Sequence, residues 1–348
     1  MISLLGNDRL KGFAENYVKM CKEGVEIGNG FQPPEISGIT NIVACGLGGS
    51  GVVGDLLVDV AKLDIPIIVV KDYHLPKFVN EKSLVLCMSY SGNTEETLSQ
   101  FMQARNLGCK VVSMSTGGKL KEWSEKLGVP FIQIPSGYNP RDALPLMFFP
   151  ALIMLQKMGL GNYEQHFSEV QDAITKINTR QIDELAGRIK NSRLAIYGTS
   201  DHMGSLRRIK NEFNENAKMA VIYDYFPEIN HNEMNGYQRT GLSKNVDVIL
   251  MRDKSETEEM NARIEITKGI LEHYVNSINE IWAVGESKLA KTMSFAFMGS
   301  YLTARIADIV GINREKVPFV DRLKDALKDR VNTVEKLEKK MQQPSTRS

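Results

Sequence analysis

The chain has little that would tie it to a metal, a redox couple, a nucleic acid or a membrane. Its 348 residues contain four cysteines, and none of Cys21, Cys45, Cys87 and Cys109 stands in a CxxC or His-coupled spacing. Zinc and dithiol motifs are therefore unsupported, and no metal or cofactor is expected. Cys45 and Cys87 close apolar runs and read as small core residues. An excess of either charge is also missing: 43 Lys plus Arg face 42 Asp plus Glu, a net charge of +1. The one dense basic cluster, KLEKK near the C-terminus, is interleaved with Glu and makes no nucleic-acid footprint. The most apolar stretch, ALPLMFFPALIML at 143–155, holds two prolines. It is shorter than the roughly 20 residues a membrane helix needs, so it reads as a buried helix or a subunit contact. The N-terminus, MISLLGNDRLKGF, has no basic segment followed by a long apolar core. The expectation is a cytoplasmic protein whose partner is a small molecule, not a nucleic acid or a membrane.

The length is beyond what one hydrophobic core usually serves, so two lobes are expected, cut at 1–156 and 157–348. A first helix over 8–24 is predicted to start after Asn7, which can cap it, and to end at Gly24. Strand-length apolar runs follow at 41–45, 65–70, 83–88, 110–114 and 130–134, separated by helical patterns. That alternation predicts a parallel, doubly wound α/β sheet. A helix is expected over 143–158. The second half repeats the order: NIVACG is echoed by RLAIYG at 193–198, and IWAVGESKL at 281–289 by VVSMSTGGKL at 111–120. Between them, LVLCMSYSGNTEET is echoed by VDVILMRDKSETEEM at 246–260. Three matches in one order indicate a duplicated domain, of which the first copy carries the glycines. A charged helix is expected after about residue 330, ending in a polar tail.

Two turns carry the chemistry. After NIVAC, the glycines of CGLGGSGVVGD let the backbone bend sharply and aim N–H groups at an anion, the next helix adding its positive end. Gly49 and Ser50 lie at that point. No Lys follows at Walker spacing, and the GxGGxG pattern, with Asp72 after the next strand, leaves a dinucleotide open on this turn alone. The second turn, SYSGNTEET, places Ser89, Ser91 and Thr94 just before a helix that Asn93 or Thr94 can cap. By itself it would also suit a plain turn with a capping box. Two such turns at neighbouring strand ends make one anion pocket.

At these residues the sequence resembles the sugar isomerase (SIS) domain family, and more widely its bifunctional phosphoglucose/phosphomannose isomerases. The likeness runs from about residue 35 to about 328, through the two turns, the Arg of YNPRDALP, NENAK at 214–218, EINHNE at 228–233 and a late VPFVDRLKDAL. It implies two SIS-type doubly wound domains, each a five-stranded parallel sheet flanked by helices. It further implies that Gly49, Ser50, Ser89, Ser91 and Thr94 hold a substrate phosphate, that Glu215 is the base, that His231 and Lys324 open the sugar ring, and that Arg141 faces the intermediate. Read without the family, Glu215 pairs with Glu212 on one helix face as a solvated charge pair, and His231 is a loop histidine. Likewise Lys324 is a solvated lysine, and Arg141 a surface residue or a partner of Asp142. Asp201 and His202 stand where less polar residues are expected, and GINREKVPF departs from the usual approach to the last helix.

The implied reaction interconverts glucose 6-phosphate, or mannose 6-phosphate, and fructose 6-phosphate through ring opening and a cis-enediol, with no metal. A tuned carboxylate moves the proton and a cation stabilises the enediolate. The resemblance also implies a homodimer with an active site shared between subunits, for which ALPLMFFPALIML is the candidate contact. A non-catalytic sugar-phosphate-binding regulator remains the alternative, since the same turns would serve it. It would want no Glu215/His231 pair.

Overall fold

The computed structural model describes residues 12–239 and 243–342. Its contacts divide the chain into two units, one of Met1–Lys19 with Glu164–Glu315 and the other of Met20–Tyr163 with Lys316–Ser348. We call the second the glycine-rich unit, and the first the histidine unit. Each has its own parallel sheet. A single cut after residue 156 would not produce this division, because the terminal segments exchange.

The glycine-rich unit is built on strands β1 (Asn41–Cys45), β2 (Ile67–Val70), β3 (Ser83–Met88), β4 (Lys110–Ser115) and β5 (Phe131–Gln133), in the order β2-β1-β3-β4-β5. β1 and β3 are buried along their whole lengths, as expected of strands covered on both faces, and read as continuous apolar runs. Helices α2 (Gly48–Ala61), α3 (Glu95–Asn106), α4 (Gly118–Leu127) and α5 (Leu144–Lys157) cross over between strands or follow the sheet. Residues 144–155, the core of ALPLMFFPALIML, are all buried within this unit, where α5 packs on α2. That stretch is therefore interior helix, and its proposed role as a subunit contact falls.

The first helix, α1, covers Phe13–Gly30. Its expected start after Asn7 lies outside the described residues, and it runs past Gly24. Gly24 does not end the helix because its task is packing: a Cβ there would lie 2.5 Å from the Pro145 carbonyl oxygen. At Gly28 a Cβ would lie 2.8 Å from Ile153. The bare backbone lets α1 and α5 approach closely. At the other end of the glycine-rich unit, α11 (Pro318–Arg330) has no buried residue. Helix α12 (Thr333–Gln342) sets Val334, Leu337 and Met341 against the core around Phe101 and Trp123.

The histidine unit repeats the pattern with β6 (Arg193–Thr199), β7 (Val221–Phe226), β8 (Val246–Arg252) and β9 (Ser277–Trp282), in the order β7-β6-β8-β9. The order of the first four strands is thus the same in both sheets. The expected fifth strand is absent among the described residues, so the second sheet has four. Where the first sheet adds β5 after a 10-residue helix, the second continues into α10 (Lys288–Val310), a 23-residue helix. Helix α10 is buried along most of its length and packs against α6 (Phe167–Lys176), α7 (Thr179–Ile189) and α8 (Met203–Glu215). Phe13 and Tyr17 of α1 meet its Phe297 edge to face. Helix α9 (Glu258–Leu271) connects β8 to β9. Among the described residues no helix is long and apolar enough to cross a membrane.

Candidate active site

In the glycine-rich unit, the turns after β1 and β3 meet at the carboxyl ends of adjacent parallel strands, where Cys45 pairs with Cys87. Close approach explains the glycines. A Cβ on Gly51 would stand 2.4 Å from the Gly46 carbonyl oxygen, and one on Gly49 would stand 2.8 Å from that of Pro140. Leu47 precedes α2 and supplies no side-chain cap to the first-turn N–H groups at the positive helix end. Ser50 is buried at their side, its Oγ accepting the Tyr90 N–H at 2.9 Å and approaching Met147 Sδ at 3.8 Å.

The second turn is organised by hydroxyls. Ser89 Oγ lies 2.9 Å from Thr94 Oγ1 and accepts the Gly92 N–H at 3.1 Å. Thr94 stands at the N-cap position of α3, but its side chain makes no cap hydrogen bond. The expectation that a side chain of this turn caps the helix is corrected: Thr94 Oγ1 turns to Ser89, and Asn93 Oδ1 accepts the Lys119 N–H at 3.0 Å. The α3 N-terminus, like that of α2, thus has no side-chain cap. Ser91 is exposed, its Oγ accepting the Asn93 N–H at 3.3 Å. Gly92 (φ +71°) could carry no side chain, since a Cβ would fall 1.8 Å from the Gly117 carbonyl oxygen.

Arg141 joins this turn pair. It is buried, at 4% exposure, so the surface-arginine reading is overturned. Its backbone N lies 3.1 Å from where a Gly49 Cβ would be. Tyr90, which sequence reasoning passed over, ties that loop down. Its hydroxyl donates to the Pro135 carbonyl at 3.2 Å and accepts the Tyr138 N–H at 2.9 Å. The signal in SYSGNT is a large aromatic inside an otherwise small, polar turn, which buries its ring and leaves its hydroxyl to hold neighbouring backbone. Lys324 is exposed on α11.

In the histidine unit, the two glutamates of α8 separate cleanly. Glu212 is 1% exposed, paired with Arg208 on the preceding turn, and accepts the Ser300 hydroxyl at 2.6 Å. Glu215, the last helical residue, is half-buried. The asparagines beside it fix the helix end: Asn214 Nδ2 donates to the Met219 carbonyl at 2.7 Å and Asn216 Nδ2 to Thr303 Oγ1 at 3.0 Å. The solvated Glu212/Glu215 pair is thus replaced by one structural and one partly accessible carboxylate.

His231 is exposed between two short 3-10 turns, Glu228–Asn230 and Glu233–Gln238, with both neighbours anchored. Asn230 Nδ2 donates to Thr267 Oγ1 at 2.8 Å, and Asn232 Nδ2 to Glu228 Oε1 at 2.6 Å. Glu233 accepts the Tyr197 hydroxyl at 2.6 Å, and burial raises its carboxyl above the usual range even against that hydrogen bond. Among the described residues no group of three or more His, Cys, Asp or Glu side chains is arranged to hold a metal ion.

Two parallel α/β sheets flanked by helices, with glycine- and hydroxyl-rich turns at neighbouring strand ends of the first, are the architecture of SIS-domain proteins. Residues 178–327 match the family described as the bacterial phospho-glucose isomerase C-terminal SIS domain. A bifunctional phosphoglucose/phosphomannose isomerase of Caldicellulosiruptor bescii is 35% identical over 328 residues, covering 90% of this chain and 97% of that protein. A D-glucosamine-6-phosphate 4-epimerase of Sulfolobus acidocaldarius is 32% identical over 249 residues, 69% of this chain and 78% of its own. Among solved structures, glucosamine-6-phosphate deaminase of Thermotoga maritima superposes with a TM-score of 0.67 at 14% identity, covering 90% of this chain and 97% of that one. The chain belongs to the family of bifunctional phosphoglucose/phosphomannose isomerases.

Proposed function

We propose that the protein interconverts glucose 6-phosphate and fructose 6-phosphate, and mannose 6-phosphate and fructose 6-phosphate, by proton transfer through a cis-enediol. Gly49, Ser50, Ser89, Ser91 and Thr94 hold the phosphate, whose binding energy, remote from the reacting carbons, positions C1 and C2. His231 and Lys324 open the ring. Glu215 carries the proton between C1 and C2, and the Arg141 guanidinium offsets the charge that develops on the enediolate oxygens. The observation that carries the reading is the contrast in burial along α8, where Glu212 is 1% exposed and Glu215, at the helix end, is half-buried.

Parallel assays of purified, chelator-treated protein with fructose 6-phosphate and mannose 6-phosphate test it. Turnover of both at rates unaffected by EDTA is expected. Turnover of neither, or of an amino sugar phosphate in their place, refutes it. The reading includes a cytoplasmic location, where phosphosugars stay because their charge keeps them from crossing bilayers. It also includes a homodimer sharing its active site; a fully active monomer in sedimentation would overturn that.

A further inference from the structure

His202 and Asp253 have no role in the chemistry above, yet both are nearly fully buried, at 2% and 5% exposure. The strand register shows where they stand. Cys45 pairs with Cys87 in one sheet, and Tyr197 with Leu250 in the other. Counting on from these pairs, His202 occupies the position of Ser50, Asp253 that of Tyr90, and Thr257 that of Thr94. The same two positions also touch. Tyr90 N–H reaches Ser50 Oγ at 2.9 Å, and Asp253 Oδ2 lies 2.9 Å from His202 Nε2.

The Asp253 carboxylate is met by positive or donating groups, while its backbone N–H is taken by Glu256 Oε1 at 2.8 Å, a carboxylate that pairs in turn with Arg252. Lys291, itself 6% exposed, places Nζ 2.8 Å from Asp253 Oδ1, and the Ser255 N–H donates to the same oxygen at 2.9 Å. Lys288 Nζ stands 3.2 Å from His202 Nε2 and 3.3 Å from Nδ1. Both lysines lie in the first turn of α10, the end of a helix that favours anions and disfavours cations. His202 precedes α8 in the same way. Burial alone would raise the Asp253 carboxyl, but the hydrogen bonds from His202 and Lys291 hold it well below the usual carboxylate range.

We propose that the histidine unit retains the anion cup of its duplicated partner, and that the Asp253 carboxylate fills it in place of a phosphate. The device confines phosphate binding to one unit, so that a sugar phosphate has one cup per chain and not two. In the glycine-rich unit the Thr94 hydroxyl is withheld from its helix, whereas Thr257 Oγ1 accepts the Met260 N–H and closes the α9 N-terminus. One cup is thus left open and the other is completed from within.

Inorganic phosphate is the probe, measured by calorimetric titration against chloride at equal ionic strength. The wild-type chain is expected to bind one phosphate. Asp253→Ala should bind a second with at least tenfold greater affinity than any further wild-type binding, and phosphate should raise its melting temperature above the chloride reference. Adding Lys291→Ala to Asp253→Ala should abolish the gain. In a Ser89→Ala/Thr94→Ala background, the gained site should persist, which separates this inference from the assignment of the first cup. A folded Asp253→Ala with unchanged stoichiometry, a gain equalled by chloride, or an unfolded variant that phosphate fails to rescue would each overturn the proposal.

Discussion

Thr94 and Thr257 occupy the same place in duplicated units, and replacing each by alanine should have opposite consequences. Thr257 caps α9 through a 3.3 Å hydrogen bond to the Met260 N–H. Its loss costs about 0.5–2 kcal/mol of stability, the range for N-cap threonines. In a unit of this size, a loss of about 1 kcal/mol lowers the melting temperature by roughly 2–4 °C. Thr94 makes no such cap; its hydroxyl lies 2.9 Å from Ser89 Oγ. Its removal should cost less stability but, on the phosphate assignment proposed above, forfeits a hydrogen bond to the substrate of about 1.5–3 kcal/mol for a charged partner. At about 1.4 kcal/mol per decade that is a fall in kcat/KM for fructose 6-phosphate of roughly 10- to 150-fold. Steady-state kinetics and thermal melts on the two single variants decide the matter. If Thr94→Ala keeps wild-type kcat/KM, or Thr257→Ala lowers it as far, the cup has been misread.

Glu215→Gln should lower kcat by about 10²- to 10⁴-fold, the usual weight of a general base, while fructose 6-phosphate still binds within a few-fold of wild type. Retained turnover with intact binding removes Glu215 from the mechanism. Glu212→Gln should instead act on stability, by about 3–5 kcal/mol, because Arg208 is left buried without its counter-charge. A variant as stable as wild type would contradict the packing. The Glu233 carboxyl has a folded pKa raised by burial, so its contribution to stability is present in acid and is lost as pH rises through that value. Melting curves of wild type and Glu233→Gln should therefore shift in the variant's favour between acid and neutral pH, and parallel pH profiles would exclude the shift.

The parts of the molecule legible in the sequence were those governed by short-range pattern. β1 and β3 fall at the residues expected, because a strand covered on both faces is a run of apolar side chains whatever else surrounds it. The positions of the glycine-bearing turns were legible for a similar reason, since only glycine fits where backbone comes as close as it does at Gly49, Gly51 and Gly92. Legibility failed where one residue type serves two ends. Gly24 reads as a helix stop, but it marks where α5 comes within contact of the backbone. Thr94 reads as a cap, but its hydroxyl points to Ser89. Glu212 and Glu215 are equivalent by spacing, and only the burial of Arg208 and Ser300 distinguishes them. The run 143–155 is apolar enough for a core or an interface, and a single sequence cannot weigh one against the other.

The exchange of terminal segments bears on synthesis at the ribosome. The unit opening at Met20 also draws on Lys316 onward, and α12 lays Val334, Leu337 and Met341 on the core around Phe101 and Trp123. A nascent chain that has extruded the five-stranded sheet has therefore not yet made the helix that packs on α3 at its flank. It must wait while more than 150 further residues, Glu164–Glu315, are translated. At about 5–20 residues per second that interval is on the order of ten to thirty seconds, during which apolar surface stays uncovered beside the emerging second sheet. Chains that stall or are cleaved before residue 333 should aggregate or recruit chaperones even though both sheets have been synthesised.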